Sequence, residues 1–123
     1  MTKKVLITGS RDFEDGQVVL DAIASAKEWA GDEVLLVIQG AARGADTLAH
    51  IAATHLSGVL SVAVPADWAN DGKSAGPIRN QAMLSLNPDV VLAFYKMGAA
   101  NRGTQNCVDA ATALGIPVKV YQQ

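Results

Sequence analysis

The chain has four arginines, Arg11, Arg43, Arg79 and Arg102, and each lies in or beside a segment of small residues that follows an apolar run. "GSRDFEDG" carries the first, "GAARGAD" the second, "PADWANDGKSAGPIRN" the third and "YKMGAANRGT" the fourth. A guanidinium is a planar fork of donors that matches the oxygens of phosphate and carboxylate. Glycine and alanine beside it let backbone N–H groups approach the same oxygens. Arg43 and Arg102 stand just before expected helices, and Arg79 falls in the first turn of another. A helix start disfavours an added cation by ~0.3–1 kcal/mol at exposed positions, and a bound anion would offset this. The pattern points to a phosphate-type site assembled from several loops. Against it stands a plainer reading, in which each arginine pairs with Asp12, Glu14, Asp46, Asp67 or Asp71 for ~0–1 kcal/mol. Any one arginine fits the plainer reading; the coincidence of all four favours a site.

Other side chains carry weaker signals. Trp68 could stack on a base or simply anchor its loop, and the two readings weigh equally. Asp67 and Asp109 are the carboxylates to inspect for catalysis, with no spacing argument to choose between them. Asp46 and His50 are one helical turn apart and could bond, although a helix-start role for Asp46 and a solvated His50 are the plainer reading. His50 and His55 are five apart, which turns them to different helix faces and argues against a zinc pair. Lys73 reads as a solvated loop lysine, and Met83, Met97 and Cys107 as packing residues. Neither a Walker phosphate loop nor a dinucleotide "GxGxxG" follows the first strand, so no cofactor and no metal is expected.

These residues need a scaffold, and the apolar pattern predicts one. Five runs rich in β-branched residues recur at 5–8, 34–39, 59–64, 90–94 and 118–121. Most are continuously apolar, as in parallel strands covered on both faces. Between them, Val19, Ala22, Ile23, Ala26 and Ala30 share one helical face, and Ala45, Leu48, Ala49, Ala52, Ala53 and Leu56 another. A third helix is expected from about Pro77 to Leu86 and a fourth from Thr104 to Leu114, closed by Gly115 and Pro117. Alternating strands and helices imply an α/β, Rossmann-like three-layer α/β/α sandwich with a five-stranded, mainly parallel sheet. The arginine-bearing loops then share the carboxyl edge of the sheet, where such folds bind ligands.

Composition sets the limits. At 123 residues, half of them apolar, one domain is expected, and the formal charge of −2 provides no global basic field. The apolar stretch near the N-terminus is too short for a signal or a membrane span, and a cytoplasmic protein without a membrane partner is expected. A single cysteine excludes an internal disulfide framework.

"ITGSRDF", "QGAARGADTLAH", "PADW" with "GKSAGPIRNQAM", and "NRGT" resemble, in order and across almost the whole chain, the YspA-type branch of the SLOG superfamily. The resemblance implies a single SLOG-like nucleotide-binding domain over residues 1–123. The superfamily includes the cytokinin-activating LOG phosphoribohydrolases, the Smf/DprA DNA-processing proteins and domains proposed to bind nucleotide-derived ligands. By resemblance, Gly9, Ser10, Arg11, Gly40, Arg43, Gly44, Asp46, Gly103 and Thr104 would line a nucleotide or ribose-phosphate pocket. Arg79 and Met83 match an arginine and methionine pattern of the LOG enzymes. Ala41 replaces a glycine common in the second motif, which would crowd the closest backbone approach slightly. The glutamate those enzymes use after their glycine-threonine turn is absent, since Gln105 and Asn106 follow Gly103 and Thr104 here. Asn106 can bond a ribose hydroxyl but cannot act as general base or nucleophile.

Three functions stand in order. The first is a module that binds a nucleotide or nucleotide derivative, as a sensor or a sequestering device, with Ala41, Trp68, Arg79, Arg102 and Asn106 added to the ligand-binding residues above. The second is a phosphoribohydrolase or deoxyribosyltransferase using another carboxylate, with Arg79, Asp67 and Asp109 as candidates. The third is single-stranded DNA binding, because "GAARGADTLAH" resembles the DNA-processing proteins. The acidic balance and small size argue against nucleic acid as a partner. The alanine-rich helices could supply an interface for a homo-oligomer.

Overall fold

The computed structural model describes residues 2–123. The elements are β1 (Thr2–Gly9), α1 (Gly16–Ala30), β2 (Val34–Gln39), α2 (Ala45–Thr54), β3 (Val59–Ala63), α3 (Trp68–Asp71), α4 (Ala75–Leu84), β4 (Val90–Tyr95), α5 (Arg102–Ala113) and β5 (Val118–Gln122). The strands form one sheet in the order β3-β2-β1-β4-β5, and every pairing is parallel. The sheet is thus wholly rather than mainly parallel, an α/β Rossmann-like arrangement.

The continuous apolar runs are explained by burial on both faces. Val5, Ile7, Leu35, Val37, Leu92 and Phe94 enter one core with α1 and α2. Their strand neighbours Leu6, Ile38 and Val91 enter a second core with Met83 and Leu84 of α4 and with Cys107 and Ala111 of α5. Strand side chains alternate between faces, so a strand buried on both must be apolar at every position. Phe94 anchors the first core, edge-on to Phe13 at 5.4 Å between centroids and stacked on Tyr121 at 4.9 Å.

Local chemistry sets the boundaries. Asp15 accepts from Val18 N–H at the start of α1, and Gly31, at φ 62°, closes it with its N–H on the Lys27 and Glu28 carbonyls. The third expected helix is instead α4, which begins two residues before Pro77 and ends at Leu84. The long segment before it contains the short α3, where the Asp67 carboxylate takes the Asn70 N–H at 3.2 Å and the Asn70 side chain at 2.7 Å. Four residues are too few to display a helical period, so this helix leaves no periodic sign in the chain. Strand β1 begins three residues ahead of its apolar run because Lys4 N–H is held by Asp89 at 2.8 Å and Thr2 pairs with Val34. No helix among the described residues is long and apolar enough to cross a membrane.

The chain order 1-2-3-4 meets the spatial order 3-2-1-4 at β1 and β4. The crossover from β1 runs to one side and the one that ends in β4 to the other, so the loops at their carboxyl ends diverge and leave a hollow. Phe94→Ala should lower unfolding free energy by ~3–5 kcal/mol, because it removes the ring that both Phe13 and Tyr121 contact. The urea midpoint checks this.

Candidate functional site

The hollow is an open crevice of about 470 Å³ over the carboxyl ends of β1 and β4, and all four arginines stand in its wall. They differ in how far they are committed. Arg79, the fifth residue of α4 rather than part of its first turn, donates from Nη1 to the Gly40 carbonyl at 2.7 Å and from Nε to Asn80 Oδ1 at 3.1 Å. It braces α4 against the loop after β2. Arg11 lies over the Trp68 ring, 5.5 Å from its centroid. Arg43 is 3.6 Å from Asp12, with both side chains more than half exposed, so this pair contributes ~0–1 kcal/mol and is easily exchanged. Arg102 opens α5 and has no carboxylate at ion-pair distance among the described residues.

Helix starts add to the field. Aspartates cap α1 and α3, whereas α2, α4 and α5 begin at Gly44, Ser74 and Asn101 without a side-chain cap. First-turn residues of these three helices, including Gly76, Gly103 and Thr104, line the crevice. Uncapped N–H groups and the positive helix end both favour an anion. Asn101 leaves α5 uncapped because its side chain is used elsewhere. At φ 53°, it donates to the Lys96 and Ala99 carbonyls at 2.9 and 3.0 Å and accepts from Lys96 N–H at 3.3 Å, fixing the loop after β4.

The carboxylate of Asp46 organises the loop after β2. Its Oδ2 accepts the N–H groups of Gly40 at 3.1 Å and Ala42 at 3.3 Å, while Ala41 N–H goes to Gln39 Oε1 at 2.6 Å. This bonding holds Ala41 at φ 58°, a conformation that costs a non-glycine residue ~1–2 kcal/mol. Burial pushes the Asp46 carboxyl up from 3.8 to about 6, opposed by the two N–H groups and by Arg79 and Arg11.

The glycines of this loop serve packing between loops rather than approach to a ligand. A Cβ on Gly40 would overlap the Arg79 guanidinium, and one on Gly44, at φ 78°, would overlap the Ser10 and Arg11 backbone. Gly40, Ala41 and Gly44 therefore lie outside the crevice wall, contrary to expectation. Gly9, Ser10, Arg11, Arg43, Asp46, Trp68, Arg79, Arg102, Gly103, Thr104 and Asn106 do line it. The candidate catalytic carboxylates do not. Asp67 caps α3, and Asp109 accepts from Gln105 at 2.8 Å along α5. Asp46 and His50 do not bond each other, in keeping with the plainer reading: His50 is exposed and its Nδ1 meets Ser61 Oγ at 3.0 Å. Cys107 is buried and its thiol pushed up to about 11 by burial, which leaves it a packing group.

Sequence reasoning overlooked Asn80. Buried on α4, it donates to the Gly103 carbonyl at 3.3 Å and to Asn106 Oδ1 at 3.0 Å while accepting from Arg79. It thereby joins the walls built by α4 and α5. A lone asparagine beside a motif arginine carries no periodic signal; only the partners 23 and 26 residues away reveal it. Asn101 had a visible signal, since asparagine ahead of a helix tolerates the left-handed region.

A wholly parallel sheet with an arginine-lined crevice at its topological switch point defines a Rossmann-like module of the nucleotide- or nucleic-acid-binding kind. The chain belongs to the YspA, cpYpsA-related SLOG family, whose model matches residues 3–70. It is 39% identical over 120 residues to the Gene 61 protein of Mycobacterium phage D29, covering 94% of each chain. Its fold is similar to that of DNA processing protein A from Helicobacter pylori, at a TM-score of 0.65 and 18% identity. That match covers 98% of this chain and 66% of the other, a protein described as having a unique single-stranded DNA binding mode. The expectation that acidic balance argues against nucleic acid is overturned by this comparison. Strand binding depends on the local potential of a groove, which net charge does not report.

The Asp46 carboxyl binds its proton more tightly in the folded state, because its value there is raised above that of the unfolded chain. Its contribution to stability is fully present below pH 3.8 and is lost as pH rises through about 6. Relative to Asp46→Asn, the wild-type protein should lose roughly 3 kcal/mol across that interval. Urea unfolding of both proteins from acid to neutral pH gives the difference curve.

Proposed function

We propose that the crevice binds a nucleotide or nucleotide-derived ligand through its ribose-phosphate portion, and that the domain acts as a sensor or sequestering module. The convergence of all four arginines on one hollow is the observation that carries this reading. The hollow falls within the ~300–1,000 Å³ range of small-molecule sites. Arg11, Arg43 and Arg102 are exposed, and none makes a buried ion pair among the described residues, so each can turn onto phosphate oxygens. Trp68, half exposed in the same wall, offers an aromatic face to a base. A dissociation constant of ~1 μM corresponds to about −8.2 kcal/mol. Charge-assisted hydrogen bonds contribute ~1.5–3 kcal/mol each, so three or four of them reach this before the cost of association.

The hydrolase alternative is less well supported. Asp67 and Asp109 stand off the crevice, Asn106 is held by Asn80, and the buried Asp46 already braces its loop. A second binding reading has a specific basis in the fold shared with the DNA processing protein. On that reading the same arginines would track the phosphates of a single strand, with Trp68 as a stacking platform.

Calorimetry with nucleoside monophosphates, cyclic nucleotides, ADP-ribose and NAD tests the proposal, and absence of heat throughout at millimolar ligand would refute it. Arg102→Ala should weaken the best ligand by roughly 10- to 100-fold while moving stability by less than ~0.5 kcal/mol. A gel shift of single-stranded oligonucleotides, lost steeply with salt and without any mononucleotide binding, would favour the DNA reading.

A further inference from the structure

Asp46 presents a puzzle for an anion site. It is a carboxylate, 6% exposed, set into the wall of a crevice otherwise supplied with cations and N–H donors. A negative charge there repels phosphate, so bracing alone does not account for its chemistry; an asparagine oxygen would accept the same two N–H groups. Those N–H groups, from Gly40 and Ala42, both go to Oδ2. No donor among the described residues bonds Oδ1, and no buried side-chain oxygen among them lacks a partner, so Oδ1 keeps access to the crevice whose wall Asp46 lines.

An ionised carboxylate oxygen is an acceptor only, and it complements a neutral donor on the ligand. A nucleotide has such donors in its middle. Trp68 enters the crevice from the β3 side and Arg102 from the β4 side, on opposite sides of β2 and β1 in the strand order. A base resting at the first and a phosphate at the second would leave the sugar between them, beside the wall where Asp46 opens α2 after β2. Resting on the ligand class proposed above, we infer that Asp46 is a specificity-determining residue that accepts a hydrogen bond from the ribose hydroxyls, so that the crevice selects hydroxyl-bearing nucleotides over deoxygenated ones.

The surroundings of Asp46 give this selection a pH dependence. Arg79 from α4, Arg11 from the loop after β1 and Cys107 from α5 are the titratable and charged groups facing it, and α1, β2 and β3 contribute none. Burial holds the carboxyl at about 6, so it is mainly an acceptor at pH 7.5 and becomes a donor as pH falls below that value.

The test compares AMP with 2′,3′-dideoxy-AMP by calorimetry on the full chain. The two share the same phosphate, so phosphate titration cancels in the ratio of their affinities. Wild-type protein at about pH 7.5 should prefer AMP by roughly 10- to 100-fold, the strength of a hydrogen bond to a charged group. Asp46→Asn keeps an oxygen for Gly40 and Ala42 and turns an NH₂ group toward the crevice; a hydroxyl can still accept from that group, but without charge, so the ratio should fall by about 5- to 10-fold. An unchanged thermal transition for the variant at pH 7.5 establishes that its fold is intact. The wild-type ratio should also shrink as pH is lowered through about 6. Equal affinity of the wild-type protein for both nucleotides, or a preference undiminished in Asp46→Asn, overturns the assignment while leaving the proposed ligand class standing. Absence of binding by either nucleotide, and by every ligand of the wider panel, overturns both.

Discussion

The crevice depends on one bonded cluster, in which the Asp46 carboxylate holds the N–H groups of Gly40 and Ala42 while Arg79 holds the Gly40 carbonyl. Between them, these side chains take both polar groups of the Gly40 peptide units that would otherwise be buried without partners. The same cluster links β2, α2 and α4, which belong to different layers of the sandwich. Asn80 extends it to α5 through Gly103 and Asn106. The walls of the hollow are therefore fixed relative to one another before any ligand arrives, which reduces the ordering cost of binding.

Charge is divided within this frame by burial. Arg79 is half-buried and bonded to the protein, so its cation contributes to loop structure and to the local field together. The exposed guanidiniums of Arg11, Arg43 and Arg102 retain donors to give away. A chain with a net charge of −2 can thus hold a positive hollow, because the carboxylates of the remaining surface are spread over solvated faces. The strain held at Ala41, together with the uncapped starts of α4 and α5, is concentrated around the same hollow.

Similarity to the Helicobacter pylori protein at 18% identity follows from the same physics. A wholly parallel sheet asks only for apolar residues on both strand faces, right-handed crossovers and small residues where loops touch. Many sequences satisfy those demands. The wall of the crevice is set by fewer positions, and ligand choice follows those positions rather than the fold.

The sequence by itself determined the layers. Apolar runs such as Val34–Gln39 and the alanine faces of α1 and α2 are local patterns, and burial acts on each nearly independently of where its partner lies. It also placed Arg11, Arg43 and Arg102 at the strand-to-helix junctions, since strand and helix ends are marked within a few residues, whereas Arg79 falls a turn further inside α4 than the chain suggests. Which side chains meet was decided only by the tertiary structure. Gly40 and Gly44 look like ligand-facing positions in the chain, yet they are filled by Arg79, 39 residues from Gly40, and by the backbone of Ser10 and Arg11. The roles of Asn80 and Asp46 are hidden for the same reason. A hydrogen bond is short and directional, so its partner is chosen by the packing of whole elements and leaves no trace in local spacing.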